Sequence, residues 1–95
     1  MIQSFEPKDP QEVDFWNIDF SDRMPADDTI ASIVTVFLGE GDSSMTIDQF
    51  AYSGKVVSGR WQGGTLDMSY LVTARVTTAQ GRTLDKSGYV TIAQT

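Results

Sequence analysis

Ninety-five residues leave room for one domain with one modest core, enough to fold alone and too little to surround a deep active-site cavity, so a binding or structural module is favoured. The chain has no cysteine and no histidine, which excludes disulfides and cysteine metal sites and removes the commonest general base, neutral-pH switch and transition-metal ligand together. The net charge of -6 is unevenly placed: residues 1–30 hold eight acids against Lys8 and Arg23, whereas residues 31–95 hold five acids and five bases.

Phosphate binding needs a basic face, so nucleic acid does not suit this chain as a partner. Two readings of the acidic third stand side by side, a solvated edge that aids solubility and a docking surface for a basic partner. No apolar run is long enough for a membrane span, and the start Met1-Ile2-Gln3-Ser4-Phe5-Glu6 lacks the basic and apolar regions of a signal peptide. No membrane partner is therefore expected, and the chain reads as one kept in a cytoplasm until it is assembled.

Residues 1–11 carry Pro7 and Pro10, no usable periodicity and two isolated apolar side chains, Ile2 and Phe5, which is the composition of an extended arm. In a free monomer such an arm would be disordered; in an assembly it would lie across a neighbour. The domain proper is expected over residues 12–95. Its first strand spans Val13 to Phe20, with Val13 and Phe15 on one side and Trp16, Ile18 and Phe20 on the other, an arrangement that suits contact with the arm or with another subunit. Residues 21–28 form a loop whose aspartates lack the spacing, the glycine and the closing glutamate of a helix-loop-helix calcium site.

Thr29 to Leu38 is a strongly apolar strand, expected to be central, with Ile30, Ser32, Val34, Val36 and Leu38 sharing a face. Gly39 to Ser44 then reads as a mobile loop. Met45 to Tyr52 and Lys55 to Gln62 are the next strands, joined by a turn at Ser53-Gly54-Lys55. The stretch from Leu66 closes the chain with its clearest pattern: Tyr70, Val72, Ala74 and Val76 alternate with Leu71, Thr73, Arg75 and Thr77. Ala79-Gln80-Gly81-Arg82 reverses the chain into a return strand from Thr83 to Ile92.

Six to seven antiparallel strands at this spacing, with no helix and no repeat, give an all-β fold. A tyrosine opening the first strand of the closing pair makes it an immunoglobulin-like β-sandwich with an N-terminal arm. No pair of carboxylates is placed for acid–base work, no phosphate-cradling glycine loop precedes a helix, and a serine–lysine pair from Lys55 or Lys86 has no support, so neither an enzyme nor a metal or cofactor is expected. Tyr52 and Trp61 could stack on a sugar; the plainer assignment makes Trp61 an inter-sheet core aromatic. Arg75 is expected to pair across the hairpin with Asp85.

Four segments in order carry a likeness: Lys8-Asp9-Pro10, Ile18-Asp19-Phe20-Ser21, Asp28-Thr29-Ile30-Ala31-Ser32, and Tyr70-x-Val72 leading to Thr77-Thr78-Ala79-Gln80-Gly81-Arg82-Thr83. Together they resemble a family of small tailed-bacteriophage proteins described as fiber-tail adaptors. The resemblance runs through nearly the whole chain, although residues 39–64 hold none of its motifs. It implies a structural virion protein present in several symmetric copies near the neck or tail. Its partners would be other virion proteins (tail fiber, neck, portal or adaptor ring, or capsid) and copies of itself.

The contact is expected from residues 1–20, through Phe5, Lys8 and Asp9 of the arm and Phe15, Trp16 and Phe20 of the first strand, with Phe5, Phe15 and Trp16 as anchors. Extended arms that add to another chain are a common assembly device. Three alternatives remain: a capsid decoration or cement protein, a small carbohydrate-binding module using Tyr52 and Trp61, and a stability domain cut from a larger protein, against which Met1 speaks.

Overall fold

The computed structural model describes residues 3–94; the expectation for Ile2 lies outside them. Their regular structure is seven strands: β1 (Gln3–Ser4), β2 (Val13–Asp19), β3 (Ile30–Glu40), β4 (Met45–Ser53), β5 (Val56–Gly63), β6 (Ser69–Thr78) and β7 (Thr83–Thr91). They form two sheets, β1-β7-β6-β3 and β2-β5-β4. All pairings are antiparallel except β1 with β7, which is parallel. The orders β2-β5-β4 and β7-β6-β3 follow the B-E-D and G-F-C strands of an immunoglobulin-like sandwich, with the first strand added beside β7 rather than beside β2 as in the constant-type arrangement.

The alternation of β6 places Tyr70, Val72, Ala74 and Val76 in the core, where all four are fully buried. Facing them are Trp16 and Ile18 from β2 and Val57 and Trp61 from β5. Glycine at position 59, directly opposite Trp16 in the ladder, leaves the space that the indole fills; a Cβ there would lie 2.4 Å from the ring. The hydroxyl of Tyr70 accepts the Thr65 amide at 2.8 Å and donates to Asp42 at 2.7 Å. A tyrosine at the start of this strand, bonded back to the backbone upstream, is the tyrosine corner of immunoglobulin-like folds.

Three expectations are corrected. The apolar strand β3 is not central: it pairs only with β6 and forms the edge of its sheet. Its inward phase is also not a simple alternation, because the register shifts between Ile30 and Ser32, between Ile33 and Thr35, and between Leu38 and Glu40. Each extra residue flips the following side chains, so Ile33, Val36 and Leu38 pack on the core while Val34 and Phe37 are exposed. Bulges are a recognised way to blunt an open edge, which reconciles an apolar sequence with an edge position.

The expected loop after β3 is shorter than residues 39–44, since Gly39 and Glu40 belong to the strand. The remainder is pinned by the Asp42 carboxylate, which accepts hydrogen bonds from the Ser44 amide and hydroxyl, the Thr65 hydroxyl and the Tyr70 hydroxyl. Finally, residues 3–8 of the arm are not loose. The arm docks on its own sheet, where the Phe5 amide donates to Tyr89 O (2.8 Å), the Lys8 amide to Thr91 O (3.1 Å) and the Ala93 amide to Lys8 O (2.9 Å).

Candidate partner-contact site

The arm and β2 are the outer edges of opposite sheets, and between them lies a groove of about 580 Å³. Its lining comes from two short stretches, residues 3–8 of the arm and residues 12 and 14–17 at the entry to and along β2, with Trp61 beneath. The turn at residues 9–12 sets the two walls apart. The Glu12 amide donates to Asp9 O (3.0 Å), the Glu12 carboxylate accepts the Asp9 amide (2.9 Å), and Asp9 Oδ1 accepts the Gln11 amide (2.8 Å).

The groove has an aromatic floor. Phe5 meets Trp61 edge-on, with centroids 5.1 Å apart and planes at 84°. Trp16 lies 6.3 Å from Trp61. Phe5 sits over Gly88, where a Cβ would come within 2.3 Å of its ring, so β7 is built to receive this side chain. Edge-to-face geometry of this kind adds to plain burial.

The walls are strand edges. β2 pairs on one side only, with β5. On the open side the Phe15 amide is met by the neighbouring Asp14 carboxylate (2.8 Å), and Asn17 O accepts the Gln3 side-chain amide (2.9 Å), which ties the arm to β2 at one end of the groove. Glu6, Glu12 and Asp14 give the lining an acidic character.

Lys8 supplies the one base among the lining residues, and it is 3% exposed. Its ammonium donates to Gly63 O at 2.7 Å and to Asp9 O at 2.9 Å. Burial pushes its pKa down, opposed by the charges of Glu12, Asp9 and Asp14. Lys8 is thus a clasp that fixes the arm to the β5 end rather than a free surface cation.

The six residues expected to make contact are placed in three settings, Trp16 sharing two of them. Phe5, Lys8, Phe15 and Trp16 are brought together around the groove. Phe15 is 65% exposed and, with the exposed Val13, forms an apolar spot on the outer face of β2. Asp9 is half-buried in the turn that holds the arm. Trp16 and Phe20 are core residues, 2% and 0% exposed, because the alternation of β2 turns them toward the opposite sheet. Gln3, Glu6, Glu12 and Asp14 belong to the groove and were not singled out from the sequence, and Trp61 was singled out only as a core or sugar-stacking aromatic. The acidic excess of the first third signalled the carboxylates; the aromatic floor had no linear signal, because Trp61 lies 45 or more residues from the rest.

The alternative sugar platform does not form. Trp61 is covered by Phe5, and the Tyr52 hydroxyl bonds Ala31 O on the far, β3–β4 side of the sandwich. Arg75 does pair with Asp85, at 2.8 Å, across β6 and β7. Among the described residues no three acidic side chains are grouped to hold a metal ion.

Residues 8–91 match the model of a protein family described as podophage GP4 fiber-tail adaptor protein gp77. No curated protein matches the chain.

Proposed function

This chain belongs to the podophage fiber-tail adaptor family, and we propose on that premise that it attaches tail fibers or joins neck components by contacts made through the arm and β2. A structural tail adaptor is a virion component that acts on other tail and virion proteins. In this proposal the contact is non-catalytic, the surface is the β1–β2 side of the sandwich, and several copies assemble symmetrically in the bacterial host cytoplasm. The observation that carries it is the placement of Val13 and Phe15. Two large apolar side chains stand exposed on an edge strand, beside a groove with unpaired strand edges. Apolar side chains so clustered at an open edge are what a partner covers.

Quantitative mass spectrometry of purified particles against the major capsid protein tests the placement. A ring adaptor gives about six to twelve copies, by the symmetries open to neck assemblies. Hundreds of copies would make the chain a capsid decoration instead and overturn the adaptor reading. The surface is tested separately with particles carrying Phe15→Ser, a change at an exposed position that leaves the core intact. Loss of fibers with the chain still folded is expected; particles with full fiber occupancy would remove β2 from the contact.

A further inference from the structure

We propose that the β1–β2 groove takes an extended, lysine- or arginine-bearing segment of another virion protein, seated as an added strand along β2; this rests on the adaptor reading and names the chemistry of its partner. Three independent features of the groove select that occupant.

The first is backbone geometry. In an antiparallel ladder the amide and carbonyl of one residue point to the same side, and alternate residues point to opposite sides. The side-chain bonds to Phe15 N and Asn17 O therefore mark the open edge of β2, since both residues share a parity. On the facing wall Ser4 is paired with Tyr89 in parallel register and Phe5 spends its amide on Tyr89 O, so the backbone groups of Ser4 are directed away from β7. The open edge of β2 thus presents peptide groups that are met by side chains rather than by another strand. An extended chain satisfies such groups with its own amides and carbonyls, which a helix, with its backbone bonded internally, does not.

The second is charge. Glu6, Glu12 and Asp14 line the groove, and none of the ion pairs among the described residues involves them: those are Arg60–Asp48, Arg75–Asp85 and Lys86–Asp22. Lys8 offsets only part of them: it is a single charge, held by two carbonyls and already acted on by Glu12, Asp9 and Asp14. Three carboxylates against one sequestered base leave the groove negative, and a basic segment complements it. The third is the half-buried Phe5, backed by the buried Trp16 and Trp61, an apolar surface that favours the aliphatic stems of lysine and arginine.

The test titrates the full chain with a capped nonapeptide alternating lysine and valine, and with its glutamate counterpart, following tryptophan fluorescence and amide chemical shifts. The lysine peptide is expected to bind, with shifts centred on Val13 to Asn17, and the glutamate peptide to show none. The triple variant E6Q/E12Q/D14N keeps the local acceptors and removes the charge. It should weaken binding about tenfold, each charge contributing as an exposed pair does. The variant D27N/D67N, which removes two exposed acids elsewhere, should bind as the parent does. Absence of binding, shifts centred on β3 and β4, or equal weakening in both variants would overturn the proposal. If the peptide fails to bind while Phe15→Ser particles still lose their fibers, the occupant is wrong and the adaptor reading stands.

Discussion

Gly59 and Trp16 show how much one position decides. A glycine inside a strand ordinarily weakens it, yet here any side chain would collide with the indole at 2.4 Å. Gly59→Ala is expected to destabilise the domain by about 1–3 kcal/mol, as overpacking does, read as a lower urea midpoint with an unchanged slope. Tyr70 acts through its hydroxyl as well as its ring. Tyr70→Phe keeps the ring in the core but leaves the Thr65 amide without this acceptor and Asp42 without this donor, for a loss of about 1–2 kcal/mol; an unchanged midpoint would deny the corner its role. Tyr70 was legible in the sequence because it opens a strand of regular alternation. Gly59 was not, since the reason for it lies on another strand.

At the scale of elements, the arm is the part whose structure departs most from its composition. Only Gln3 and Ser4 pair as a strand, and the rest is held by Phe5 over Gly88 and by the Lys8 clasp. Removing residues 1–8 should uncover Trp61 and shift tryptophan emission to the red. It should cost about 2–3 kcal/mol, the scale of one large buried side chain, while the far-ultraviolet β-sheet signal persists. Complete unfolding would instead show that the arm is integral to the core. Prolines and a lack of periodicity pointed to an extended arm over residues 1–11, but periodicity cannot report a docking slot made by β7 and β5. The same blindness explains β3. Its apolar run resembles a strand buried on both faces, and the bulges that allow it to lie at an edge leave no local mark.

Across the whole molecule some acids staple the fold and others line the groove. The Asp42 carboxyl is held well below the usual range by hydrogen bonds from Ser44, Thr65 and Tyr70. Burial pushes Asp28 upward, but donors at Thr78, Gln80 and Thr29 outweigh it and leave the net shift downward. A carboxylate whose pKa is lower in the folded than in the unfolded chain stabilises the fold above its unfolded value, here an ordinary 3.8. That contribution is lost as pH falls below about 4 toward the folded values. The urea midpoint should therefore hold near neutrality and decline below pH 4, with a shallower decline in Asp42→Asn. A flat profile down to pH 3 would contradict the assigned bonding.

Composition and periodicity alone determined that this is a small all-β module without histidine or cysteine chemistry, that β6 and β7 form a hairpin with a buried tyrosine face, and that the acidic excess lies in the first third. These follow from residue identity and from contacts between neighbours in sequence, which a period of two records. Tertiary structure alone decided which strands lie at edges, where the arm docks, and that Phe5, Trp16 and Trp61 share one floor beneath three carboxylates. Those depend on pairing between strands far apart in the sequence, β1 with β7, β2 with β5 and β3 with β6, and on the space a glycine leaves for an aromatic ring facing it, neither of which any local pattern encodes.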